Sequence, residues 1–117
     1  DARADHQTIE QVWFAGVHSD VGGWYTDAGL SDIALEWMLD RAEARGLRLR
    51  PDWRARLSPD PAGRLHVSRA GFWRLWRPAP RTIPEGARIH RSVLARMDDP
   101  ALGYGPGNLP GRYEVVE

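Results

Sequence analysis

The most informative hydrophobic segment is residues 10–17, a near-continuous apolar run that contains Val12, Trp13, Phe14 and Val17. Polar residues do not alternate with apolar ones there, and this pattern is typical of a strand covered on both faces. An edge strand with one solvent-exposed face is the alternative. We predict a strand at this position and favour the buried arrangement.

The segment after this strand has the residue types of a tight loop that presents a polar side chain. Gly16, Gly22 and Gly23 permit backbone angles that other residues avoid. Asp20 is suited to an Asx turn with the amides that follow it. His18 has small or turn-forming neighbours, so we expect it to face a cleft rather than a packed core.

A helical pattern follows the loop. Ser31 is predicted to be its N-cap, and Asp32 adds negative charge to the first turn. Gly46 is suited to the C′ position at the other end. One face of the helix carries apolar residues at helical spacing and is expected to pack against the core. These residues are Ile33, Ala34, Trp37, Met38 and Ala42.

The next segment, residues 47–84, loses all periodicity because six prolines preclude long regular elements. Its aromatic residues are expected to anchor a loop against the core. These residues are Trp53, Phe72, Trp73 and Trp76.

A second, shorter helix is predicted over residues 88–98, where apolar residues recur at four-residue spacing and Pro100 follows. Residues 113–116 are predicted to be either a short strand or a tail. The apolar residues of the predicted helix are Ile89, Val93 and Met97.

Composition bounds the classes of function. The chain has 117 residues, a formal net charge of zero and no Cys. Its length suits one small domain over residues 1–117. Neutrality argues against a whole-surface attraction to nucleic acid, and the missing Cys excludes thiol chemistry. All 16 basic residues are Arg, which excludes a catalytic lysine. Those of the second half, including Arg88 and Arg96, are expected to form a solvated face.

His18 is the best catalytic candidate, because an imidazole titrates near neutrality and can take and return a proton. Acyl transfer also needs a nucleophile, and the chain has no Gly-x-Ser-x-Gly motif. We predict no cofactor and no metal. A weaker alternative is a metal site at His18 and Asp20 with His66 or His90 as a third ligand.

The apolar run and the loop after it, residues 12–23, resemble the signature of an α/β-hydrolase-like family. This family comprises the DUF2235 domain and the type VI secretion phospholipase effectors of the Tle1 type. The resemblance continues through residues 30–38 and 46–47. It resumes at residues 89–93 with Arg96, and at Tyr104 with residues 108–110.

The resemblance implies an α/β fold, with the chain as the C-terminal portion of a partial α/β-hydrolase-like domain. It also implies that His18 is the catalytic histidine, while the nucleophile and the triad acid belong to an earlier region. Two departures are Ala15, where a proline is common, and Trp24, where a third glycine is frequent. Neither removes the histidine.

Two hypotheses for function follow. The chain supplies the histidine of a serine esterase or phospholipase-like hydrolase and is inactive alone. Alternatively, it is a non-catalytic interaction module, or a split half that works with a partner chain. The first implies a lipid or other ester substrate, and an immunity protein as partner if the parent is an effector. Association with a missing N-terminal half, or self-association, is the expectation of the second hypothesis. With no signal peptide or membrane span in the sequence, we expect a cytoplasmic location or secretion by a type VI route.

Overall fold

A computed structural model describes residues 6–67 and 80–117. The described parts form an α/β arrangement around a three-stranded parallel sheet in the order β1-β2-β3. The strands are β1 at Val12–Trp13, β2 at Ala87–His90 and β3 at Tyr113–Val116. Trp13 of β1 is in register with Ile89, and Ile89 is in register with Val115 of β3.

Three α-helices connect and flank the strands. They are α1 at His18–Gly22, α2 at Gly29–Glu43 and α3 at Arg91–Asp98. A 3₁₀ turn at Arg54–Arg56 interrupts the otherwise irregular segment after α2. No helix in the described ranges is long and apolar enough to cross a membrane.

The first strand is shorter and more exposed than its sequence predicts. Only Val12 and Trp13 pair in a ladder, and both are half-buried. The preferred prediction of a strand covered on both faces is wrong, because neither residue of β1 is buried; β1 is an edge strand of the described sheet. Ala15, just beyond β1, is the buried residue of the run.

The segment predicted to be a loop contains the short helix α1, because Asp20 and Val21 both donate their backbone N–H to the Val17 carbonyl. The second helix begins at Gly29, so Ser31 is not its N-cap. The Ser31 hydroxyl instead donates to the Ala28 carbonyl from inside the first turn. At the other end, Gly46 adopts φ +93°.

Gly46 closes α2 as predicted. Its N–H donates to the Glu43 carbonyl, and the Leu47 N–H donates to Ala42, which is the paired bonding of a Schellman motif. On the apolar face, Ile33, Ala34 and Trp37 are buried, whereas Met38 is 58% exposed.

The helix predicted over residues 88–98 is instead the strand β2 followed directly by α3. Ile89 and Val93 share four-residue spacing because both belong to the core, not because they share a helix. Ile89 is the most deeply buried hydrophobic residue described, at 1% exposure. It packs with Ala15, Ala87 and Val93 in one cluster. The question left open at residues 113–116 is answered by β3.

The proline-rich segment is irregular where it is described. Trp53 is half-buried and its ring is covered by the Arg54 guanidinium, 4.3 Å from the ring centroid. Three aromatic residues of the prediction lie outside the described residues, and these are Phe72, Trp73 and Trp76.

Candidate functional site

His18 is the first residue of α1 and follows the carboxyl end of β1. Its side chain is exposed and borders a cavity of about 380 Å³. The cavity walls are mainly apolar and aromatic. They include Trp13, Phe14, Leu65, Ile83, Tyr104 and Leu109. His18 therefore lies where a proton-transfer group would meet an apolar ligand.

The turn that places His18 depends on Gly16. This glycine has φ +124°, in the region that side chains disfavour. A Cβ built at Gly16 would lie 2.6 Å from the Asp20 Cβ, which is closer than real Cβ atoms approach other atoms. The close contact keeps the turn between β1 and α1 tight, and α1 packs against α2.

Asp20 is the best-satisfied polar group of the site. It is 3% exposed, and its Oδ2 accepts the backbone N–H of Val17 at 3.1 Å. The predicted Asx turn with the amides after Asp20 is wrong, because the carboxylate accepts the amide three residues before it. The carboxylate thus stabilises the first turn of α1.

His66 is the partner of Asp20 that sequence reasoning did not assign. The His66 Nδ1 lies 2.6 Å from Asp20 Oδ1, and the His66 backbone N–H donates to Oδ2 at 3.1 Å. Tyr25 stacks on the imidazole with ring centroids 3.7 Å apart. Asp20 and His66 are 46 positions apart, so no local pattern in the sequence could have indicated their contact.

The two glycines at the end of α1 have different environments. Gly22 is the last residue of the helix, and a Cβ there would meet nothing within 4 Å. Gly23 has φ +78° and ends the helix. Trp24, which follows, is 88% exposed and does not close the cavity wall.

His90 and Ser92 form a second buried polar pair. His90 Nδ1 lies 2.8 Å from Ser92 Oγ and accepts the Ser92 backbone N–H at 3.3 Å. Burial, helped by the neighbouring Arg91, lowers the pKa of His90. The neutral ring is therefore the stable form, and it caps α3.

The geometry does not assemble the alternative metal site. Asp20 meets His66, but His18 and His90 are not part of that contact. Within the described ranges, no group of three or more histidine, aspartate or glutamate side chains is placed to hold a metal ion.

Residues 1–41 match the type VI secretion system phospholipase effector Tle1-like catalytic domain. The match confirms the resemblance for that part of the chain. No curated protein and no solved structure gave a significant match.

The Tle1-like segment, residues 1–41, contains β1, α1 and most of α2. His18, Asp20 and the three loop glycines all lie within it. His66 lies outside this segment, as do Leu65, Ile83, Tyr104 and Leu109 of the cavity wall. The family match does not extend to these residues.

Proposed function

We propose that the chain is the histidine-bearing, C-terminal portion of an α/β-hydrolase-like catalytic domain that cleaves carboxylic esters, with His18 as general base. The observation that carries the proposal is the position of His18. It lies in the Tle1-like segment, at the carboxyl end of a parallel strand and at the rim of an apolar cavity. Catalytic groups of α/β proteins are characteristically held at that edge of the sheet.

In the reaction, the His18 imidazole takes the proton of a serine hydroxyl as the serine oxygen attacks the ester carbonyl carbon. The tetrahedral intermediate collapses, and the imidazolium protonates the departing alcohol. Water then attacks the acyl-serine by the same proton relay and releases the acid. An imidazole exposed at a cavity is suited to both proton transfers.

The nucleophile comes from outside the described residues of this chain. Ser31 donates to the carbonyl of Ala28, just before α2, and Ser92 is engaged in the cap of α3. Ser19 adjoins His18 on the same helix, so the two side chains diverge. Ser58 is exposed in the irregular segment and does not line the cavity beside His18. Ser68 lies outside the described residues, and the sequence around it has no Gly-x-Ser-x-Gly motif. We therefore assign the serine to another segment of the catalytic domain, and predict that the chain alone is inactive.

The substrate class follows from the cavity and the family. An apolar cavity of about 380 Å³ beside His18 suits a short acyl chain or part of a longer one. The Tle1-like match supports a phospholipase-related origin, so a phospholipid is the proposed physiological ester. Delivery by a type VI route and neutralisation by an immunity protein belong to the same proposal.

A second candidate is a non-catalytic interaction module. Within the described residues β1 pairs with β2 alone, which leaves its other edge available for another strand. An apolar groove of about 500 Å³ lies beside this edge. Its walls include Phe14, Val21, Ala34, Leu35 and Met38. In both candidate functions the free edge of β1 would pair with another segment, but only the hydrolase requires chemistry at His18.

Reconstitution separates the two candidates. The chain is mixed with a serine-bearing half of a Tle1-like catalytic domain, and hydrolysis of short-chain nitrophenyl esters is followed. We expect hydrolysis in the mixture only, and a loss of roughly 10²–10⁴-fold on His18→Ala. His6→Ala is the matched control and should have no effect. Binding without hydrolysis, or activity that survives His18→Ala, would favour the interaction module.

A further inference from the structure

We propose that His66 is a positioning residue for the candidate base. It holds the Asp20 carboxylate, and through that carboxylate it fixes the turn that presents His18. The inference rests on the assignment of His18 as general base. It adds a residue outside the Tle1-like segment to the site.

The carboxylate of Asp20 depends on His66 for most of its hydrogen bonds. Within the described residues three donors reach it, and two of them are the imidazole and the backbone N–H of His66. The third is the backbone N–H of Val17, the residue before His18. Because a buried carboxylate is costly without donors, the loss of the His66 imidazole, which makes the shortest of the three bonds, would leave Asp20 undersatisfied beside the turn it supports.

The proton on His66 can be placed by chemistry. A carboxylate only accepts hydrogen bonds, so the short contact requires the hydrogen on Nδ1. The donor–acceptor distance of 2.6 Å is shorter than that of an ordinary N–H···O bond, as expected when the acceptor is charged. This contact is therefore a direct, charge-assisted link between His66 and the His18 turn.

The segment that carries His66 is itself anchored, so it can act as a fixed support. Arg96 is 6% exposed, and its Nη1 donates to the carbonyls of Pro61 and Gly63 at 2.7 and 2.6 Å. The backbone N–H of Asp60 donates to the Gly29 carbonyl at the start of α2. Two elements thus hold the chain immediately before His66.

His66 does not have the position of a catalytic residue. Its Nδ1 is engaged by Asp20, and its Nε2 lies 3.8 Å from Asp27 Oδ2. Tyr25 covers one face of the ring. Leu65, and not His66, contributes to the cavity beside His18. His66 therefore acts on the reaction through Asp20.

The test compares His66→Leu with His66→Asn in the isolated chain. The asparagine amide can place a donor near the Nδ1 position, whereas leucine has no donor. Hydrogen exchange is measured at the Val17 amide, and the His18 ring is observed by NMR with labelled histidine. We expect Val17 exchange to accelerate roughly tenfold or more in His66→Leu, with the His18 ring signal shifted or split. His66→Asn should restore most of both signals.

Amide protection in the middle of α2 separates this effect from general unfolding, and it should change little. Unchanged Val17 exchange and an unchanged His18 signal in His66→Leu would overturn the proposal, as would an asparagine variant that behaves like leucine. If His66→Leu does not fold, the position of the His66 ring proton in the unaltered chain still tests the proposal. A His66 Nδ1–H signal that exchanges slowly supports the proposal, and an Nε2-protonated ring overturns it. None of these readouts needs ester hydrolysis, so they remain separate from the test of His18 as base.

Discussion

Gly16 is the residue on which the geometry of the candidate site depends most directly. It combines φ +124° with a Cβ position only 2.6 Å from the Asp20 Cβ. Gly16→Ala should therefore destabilise the chain by about 1–3 kcal/mol, from backbone strain together with displacement of α1. Chemical denaturation followed by tryptophan fluorescence measures the change.

Gly22→Ala is the control for this prediction. Gly22 belongs to the same loop motif, but it lies in α1 with open space at its Cβ position. Alanine there should leave stability unchanged or raise it by up to about 1 kcal/mol. Equal losses in the two variants would show that the close approach at Gly16 carries no special cost.

Arg96 shows at the residue scale where the sequence misleads. The arginines of the second half were predicted to form a solvated face, yet Arg96 is buried under Tyr104, with its guanidinium 5.3 Å from the ring centroid. Its carbonyl partners lie 33 and 35 residues away, so no spacing signals the contact. The positions of Gly16 and His18 were predictable because a turn is a local property. The Asp20–His66 contact was not, because it is formed only by the fold.

Arg96→Met should cost about 2–4 kcal/mol, because the carbonyls of Pro61 and Gly63 lose their buried donor. Arg88→Met is the matched control, since Arg88 is exposed and pairs with Glu114 at the surface. A surface ion pair contributes at most about 1 kcal/mol. Thermal unfolding of both variants and of the unaltered chain measures the two losses of stability. Equal losses in the two variants would contradict the structural role assigned to Arg96.

At the scale of the element, β2 and α3 show why periodicity alone is insufficient. The sequence places Ile89, Val93 and Met97 on a common helical face, but the first of them is in a strand. The chain changes from strand to helix at His90, whose ring accepts the Ser92 N–H. A histidine that caps a helix with its own ring nitrogen gives no strong sequence signal, because serine, threonine, aspartate and asparagine dominate that position.

The cap makes the stability of α3 depend on pH. Burial, with Arg91 and Arg41 nearby, lowers the pKa of His90, and Glu117 opposes them only in part. The unfolded chain takes up the proton first as pH falls below about 6.5, so the contribution of the neutral ring is complete above that pH. It is lost as pH falls through the lower pKa of the folded state. A protonated Nδ1 can no longer accept the Ser92 N–H.

Between pH 7.5 and 5 the free energy of unfolding should fall in the unaltered chain and in His90→Asn. We expect the fall to be smaller in His90→Asn by about 1 kcal/mol. Asparagine keeps a capping side chain and does not titrate. The difference between the two proteins isolates His90 from the other histidines and from the carboxylates. Parallel pH profiles in the two proteins would show that the cap does not sense pH.

At the scale of the whole molecule, the fold class was predictable and the sheet was not. The apolar run of β1 was evident, whereas its partner β2 lies 76 residues further along the chain, and β3, which pairs with β2, lies 26 residues beyond that. β3 has mostly exposed residues and no clear alternation. Parallel pairing over such separations leaves no local trace, because each strand is specified by contacts that the fold itself creates.

Ser92 is the described serine that most resembles a nucleophile, because its hydroxyl alone among the described serines lies within hydrogen-bonding distance of an imidazole. The pair looks like a serine and its base, but its environment opposes that role. The lowered pKa of His90 disfavours the imidazolium that would form as serine attacks, and the same Nδ1 is engaged by the helix cap. We therefore expect the chain to resist a fluorophosphonate probe and to hydrolyse nitrophenyl esters no faster than its heat-denatured form. Ser92→Ala should lower stability without changing either result. Covalent labelling that Ser92→Ala abolishes would instead assign the nucleophile to this chain, and hydrolysis would then require no second segment.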